Sequence, residues 1–243
     1  MRCLDKYKHN VRWTLTNEFL KKIKKSIRES KTEIAGKILF KDVNCDSKNK
    51  CNKILKDYEI SQGNGDSVYT PNGIINFHTH PKKCYVDQGT KYGWPSGEDM
   101  GQVIRFAKYN NLVHIVFTLE GAYIIKVNKI LNKKNIDILE KVLVLTHVFR
   151  SKNQSKQYKD FKDYLKPIIK TNKNNTLKLW LHLINNLTLV KLYKLYNKLY
   201  NKKLKIPRDN KNIFNISLNK INNNLIFKAR YISEKCHFKF YHR

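Results

Sequence analysis

Apolar side chains change their spacing several times along the chain, and each change marks an element. Between Asn17 and Ser30, Phe19, Leu20, Ile23 and Ile27 recur three and four residues apart among lysines, which predicts an amphipathic helix with a basic outer face. Glu33 to Phe40 (EIAGKILF) is short and apolar, as a buried strand requires. Ile54 to Ile60 alternates as its pairing strand would, with a polar loop between them. The turn signal Pro71-Asn72-Gly73 opens a third strand, Gly73 to His80, which ends at Pro81. Residues 82 to 95 hold Gly89, Gly93 and Pro95 and little periodicity, so a loop is expected. Ser96 to Tyr109 places Met100, Val103, Ile104 and Ala107 on one helical face. Leu112 to Leu119 and Ala122 to Val127, separated by Glu120-Gly121, read as a hairpin.

Beyond about Lys129 the pattern becomes helical: Ile136 to Arg150, Tyr158 to Lys170 interrupted by Pro167, and Thr176 to Asn201. The tyrosines of the run Leu192 to Lys203 (LYKLYNKLYNKK) fit the apolar face of such a helix. Ile213 to Leu218 and Leu225 to Ile232 look like a terminal hairpin. The expected organisation is an α/β unit over residues 1–130, a mixed sheet flanked by helices. A basic, mainly helical C-terminal region over 131–243 follows it.

Composition adds a second layer. With 41% apolar and 12% aromatic residues in 243, there is enough hydrophobic material for a folded core. No run of about eighteen apolar residues exists, and Met1 to Thr16 lacks the apolar centre of a signal peptide, so an intracellular protein without a membrane span is expected. Five scattered cysteines, Cys3, Cys45, Cys51, Cys84 and Cys236, form no Cys-x-x-Cys pair and are expected as thiols. The formal charge of +30 is uneven: residues 1–130 hold 23 basic against 13 acidic side chains, and 131–243 hold 26 against 6. A field of that size attracts polyanions such as DNA or RNA, in a salt-dependent way. A composition rich in Lys, Asn and Ile is also what AT-rich codons produce, so the charge alone names no site.

The chemistry is concentrated in two short segments, His78-Thr79-His80-Pro81 and Pro95-Ser96-Gly97-Glu98-Asp99. Residues two apart on a strand share a face, so His78 and His80 can offer two imidazoles to one ion. If Ser96 caps a helix, Asp99 lies in its first turn and can point back toward the strand end. Two imidazoles and a carboxylate make a three-ligand set of the kind catalytic zinc uses, which leaves one position for water. Glu33, at the mouth of the first predicted strand, is the candidate base. The Ser96 hydroxyl is the candidate donor to a developing oxyanion.

Taken in order, Glu33 with Ile34-Ala35-Gly36, His78-x-His80-Pro81 and Ser96-x-x-Asp99 resemble the signature of the JAMM (MPN-plus) metalloprotease family. The resemblance spans roughly residues 15 to 130. It implies an MPN, cytidine-deaminase-like fold, with His78, His80 and Asp99 as Zn2+ ligands. It also implies Glu33 as general acid and base, and Ser96 as stabiliser of the tetrahedral intermediate. The family's best-known members cleave isopeptide bonds that join ubiquitin or ubiquitin-like proteins to lysine, so a deubiquitinase-like isopeptidase acting on such conjugates is the expected function. The alternative is a nucleic-acid-associated or scaffold relative that uses its basic C-terminal region. One departure is the fifteen-residue spacer, 81 to 95, which is longer than the family's usual one.

Overall fold

The computed structural model describes residues 6–41, 44–45, 50–63, 68–87, 90–149, 163 and 176–234. Their strands are β1 (Lys6–Leu15), β2 (Ile34–Phe40), β3 (Asn44–Cys45), β4 (Lys50–Gln62), β5 (Ile75–Thr79), β6 (Val113–Phe117), β7 (Ala122–Val127), β8 (Phe214–Asn219) and β9 (Leu225–Glu234). All belong to one mixed sheet in the order β8-β7-β6-β5-β2-β4-β1-β9, with β3 on β4. The helices are α1 (Asn17–Glu29), α2 (Lys82–Asp87), α3 (Gly97–Ala107), α4 (Lys133–Leu143), α5 (Thr176–Asn185) and α6 (Leu189–Leu199), and a 3-10 segment, Val144–Phe149, continues α4.

The pleat sends successive side chains to opposite faces, and two cores result. On one face, Phe19, Leu20, Ile23 and Ile27 of α1 pack against Ile75 and Phe77 of β5, Ile115 and Phe117 of β6, and Val11, Trp13 and Leu15 of β1. Rings meet edge to face here, Phe19 with Phe77 at 5.4 Å and Phe77 with Phe117 at 5.8 Å between centroids. On the other face, α3 to α6 cover Val116, Tyr123, Ile125, Phe214 and Ile216. No helix among the described residues is long and apolar enough to cross a membrane.

Several expectations change. The N-terminal residues form a strand: β1 pairs in parallel with β4 and antiparallel with β9. The last two strands exist but are not a hairpin, because β8 adds to β7 and β9 runs along β1 from Lys6↔Glu234 to Leu15↔Leu225. The sheet curls between these ends, and Lys126 of β7 donates to the Lys228 carbonyl of β9 at 3.4 Å. Part of the expected 82–95 loop is α2. The Cys84 N–H bonds the Pro81 carbonyl at 2.9 Å, and proline suits the start of a helix. The run Thr176 to Asn201 breaks at Thr188, which caps α6 and bridges to Asn212. Tyr193 of α6 is buried, and Tyr196 and Tyr200 pack against the same core. The expected helix Tyr158 to Lys170 lies outside the described residues, apart from residue 163.

Candidate metal centre

β5 lies between β2 and β6, antiparallel to the first and parallel to the second, with Ala35↔His78 and His78↔Val116 as register partners. Because Ile75 and Phe77 face α1, the same alternation turns Asn76 and His78 toward α3. His80 follows on that face just past the strand end, where its N–H donates to the Phe117 carbonyl at 2.9 Å. Glu33 stands at the start of β2, and its carbonyl accepts from the Gly63 N–H at 2.9 Å. The Ile34 N–H donates to Thr79 Oγ1 at 3.1 Å, which ties the two strand ends together.

Ser96 is the N-cap of α3, and the cap is reciprocal. Its Oγ accepts from the Asp99 N–H at 3.0 Å, while Asp99 Oδ2 accepts from the Ser96 N–H at 2.6 Å. That fixes the carboxylate in the first helical turn, aimed at the histidines. Asp99 Oδ1 lies 3.5 Å from His78 Nε2, and Oδ2 lies 3.5 Å from His80 Nε2. The two Nε2 atoms are 3.0 Å apart. One ligand atom from each of His78, His80 and Asp99 falls within 4.8 Å of the others, so this group can hold a metal ion. Glu33 Oε1 is 3.8 Å from His80 Nε2, beside the group but not in it. Glu33, His78, His80, Ser96 and Asp99 all line one cavity of about 590 Å3, which the exposed Tyr69 and Tyr109 also line.

Two unprotonated nitrogens facing each other at 3.0 Å repel unless a proton or a cation lies between them. The metal-free balance shows it. For His80, burial opposes charge, but the hydrogen bond and attraction of Asp99, then Glu33 and the Gly93 carbonyl, prevail and raise its pKa to about 9. For His78, burial prevails over Asp99, is reinforced by His80, and lowers the pKa to about 4. Burial also opposes the charge of Asp99, yet His78, His80 and the Ser96 N–H hold its carboxyl well below the usual range. A positive charge on His80 therefore relieves the contact, as a bound cation would also do.

Each imidazole is gripped from behind. His80 Nδ1 lies 2.7 Å from the Gly93 carbonyl, which only accepts, so Nδ1 carries the hydrogen and Nε2 faces the cavity. Gly93 is in turn held by Glu120, whose Oε1 accepts from the Gly93 N–H at 2.8 Å, while Tyr85 and Tyr123 also donate to the same carboxylate. A Cβ at Gly93 would lie 2.2 Å from Tyr85 Oη, so the close approach needs glycine. Trp94, stacked on Trp180 of α5 with centroids 5.6 Å apart, anchors this loop to the C-terminal helices. Behind His78 stands His114 of β6, its Nε2 2.7 Å from His78 Nδ1, followed by Asn76 and Asn111.

All five residues read from the sequence converge here. The pattern alone passed over His114, Asn76, Asn111, Gly93 and Glu120. His114 sits in an apolar strand and reads from the sequence as a core or surface histidine without chemistry. The missing signal is the parallel register Asn76↔His114, which places both on the face of His78.

No family model matches the chain. No solved structure matches it. Over 64 residues, 26% of the chain, it is 36% identical to "Uncharacterized protein 3R" of Frog virus 3 (isolate Goorha), and the matched stretch spans 14% of that relative's length.

Proposed function

We propose that the chain is a zinc-dependent isopeptidase with an MPN-type domain, hydrolysing the bond between lysine and ubiquitin or a ubiquitin-like protein. The observation that supports this most is the meeting of His78, His80 and Asp99 within 4.8 Å, with Glu33 and Ser96 in the same cavity. The donor set fits zinc: two imidazoles and one carboxylate, with space in front of them. When bound, the ion supplies Lewis acidity that brings the pKa of water down to about 7 and polarises a carbonyl.

The side chains supply the rest. Glu33 is placed to take a proton from the attacking water and return it to the departing lysine amine. The Ser96 Oγ uses a lone pair to cap α3, which leaves its hydrogen to donate toward the substrate carbonyl oxygen as charge develops there. The cap orients the donor, so one residue both starts the helix and serves the reaction.

The test is zinc content by mass spectrometry together with cleavage of a panel of di-ubiquitins by wild type and Glu33→Gln. About one zinc per chain and Glu33-dependent cleavage are expected. Zinc without cleavage moves the substrate elsewhere, and a folded chain that takes up no zinc overturns the reading.

A second reading, a nucleic-acid-associated relative, draws on a groove of about 490 Å3 at the seam between β7, β8 and β9. Arg12, Lys126 and Lys228 line it and, among the described residues, no acidic one does. DNA retention that weakens steeply with salt supports it. Indifference to nucleic acid at moderate salt removes it.

A further inference from the structure

We propose that His114 is a positioning residue that locks His78 in the tautomer with hydrogen on Nδ1, and so presents a bare Nε2 to a bound ion. The inference rests on the metal reading above and adds a residue to it. Backbone carbonyls fix where the hydrogens lie. A carbonyl oxygen only accepts, so the Asn111 side-chain atom 2.8 Å from the Gly73 carbonyl is its amide nitrogen. The same nitrogen donates its second hydrogen to Asn76 at 3.0 Å, which makes that Asn76 atom Oδ1. Oδ1 accepts, so His114 Nδ1, 2.7 Å away, carries a hydrogen.

His114 is 1% exposed, with its ring stacked on Phe106 at 5.8 Å between centroids and no carboxylate in hydrogen-bond contact among the described residues. A neutral imidazole with hydrogen on Nδ1 has a lone pair on Nε2. That lone pair faces His78 Nδ1 at 2.7 Å, so His78 Nδ1 donates and its Nε2 is left unprotonated toward His80 and Asp99. His80 reaches the same state in one step through the Gly93 carbonyl, whereas His78 reaches it through three side chains.

The chemistry of the chain also limits what it does. It ends on amides, and Asn76 Oδ1 and Asn111 Nδ2 cannot take up a proton at neutral pH. The line therefore orients His78 and does not carry protons away from the site. It differs from a histidine backed by a carboxylate, whose charge would raise the basicity of the ligand.

Two measurements test it on the full chain. The first is 15N-resolved NMR of the imidazole nitrogens of His78 and His114, metal-free and zinc-loaded. The second is zinc affinity by competition with a chromophoric chelator for wild type, His114→Leu and His114→Gln. Hydrogen on Nδ1 of both rings in the zinc-loaded protein, and on Nδ1 of His114 without metal, is expected. His114→Leu is expected to bind zinc about 10 to 100-fold more weakly. His114→Gln, whose Oε1 can accept from His78, is expected to recover most of that loss.

Hydrogen on Nε2 of His114, or wild-type zinc affinity in folded His114→Leu, overturns the proposal. If His114→Leu does not fold, the wild-type spectrum still decides. If wild type takes up no zinc, the metal reading fails, while the His114 tautomer still shows whether the hydrogen-bond chain exists.

Discussion

The two faces of β5 differ in how they are held. Toward α1, Ile75 and Phe77 are buried among apolar side chains, and exclusion from water stabilises the packing without regard to direction. Toward α3, Asn76, His78 and, one strand over, His114 are equally buried but polar. Burying them is unfavourable unless each finds a partner at the right angle, and here each does. One strand therefore joins a face that tolerates approximate fit to a face that depends on defined hydrogen bonds. The first supplies stability. The second supplies a geometry that can hold a metal ion.

The largest expected break in this comparison is on the apolar face. Phe77→Ala removes a ring packed against Phe19 and Phe117, and urea unfolding should show a loss of about 3–5 kcal/mol. On the polar face, Glu33→Gln should slow isopeptide hydrolysis by about 10^2 to 10^4-fold in single-turnover assays. Its zinc content, and its unfolding midpoint in the zinc-loaded protein, should stay at wild-type values. A matching fall in stability would mean that Glu33 acts as a structural carboxylate.

The third prediction concerns pH. In metal-free protein, the raised pKa of His80, about 9 against an ordinary 6.5, contributes stability that is fully present below 6.5 and lost as pH rises toward 9. The lowered pKa of His78, about 4, acts oppositely, and its contribution is lost as pH falls from 6.5 toward 4. Stability measured by urea titration should therefore peak near pH 6.5. Zinc must displace the His80 proton, so zinc affinity should rise about tenfold per pH unit between about 7 and 9. A flat profile would show that the imidazoles do not share one proton.

The smallest expected effect is at the helix start. Ser96→Ala removes the N-cap of α3 and should reduce stability by about 1 kcal/mol. Ser96→Asp should recover the cap but not hydrolysis, which separates capping from the proposed catalytic role of Ser96.

Local pattern was enough to bring out the five clustered residues and not enough for the sheet. His78 and His80 could be placed on one face because a strand alternates, and Ser96 could be placed as a cap because Asp99 follows at the third position. Both rules act within a few residues. The misread elements depend on distant partners. β8 and β9 are close in sequence, which suggests a hairpin, yet their hydrogen bonds go to β7 and β1. β1 begins with polar Lys6 to Asn10, and its inward set, Val11, Trp13 and Leu15, declares itself a strand only when β4 and β9 lie alongside. His114 was not legible as a partner of His78, since that follows from a parallel register no local rule predicts.

The pairing of β9 with β1 has a consequence for synthesis. The two strands lie roughly two hundred residues apart in sequence but match over ten consecutive positions. A ribosome releases β1 long before β9 exists. Until then, one long backbone edge stays open to other chains, which is the situation that invites aggregation. Formation of the sheet's last ladder is a long-range closure, and such closures fold slowly. The five clustered side chains lie within residues 33–99, whereas the sheet is completed only when β9, at Leu225–Glu234, reaches β1.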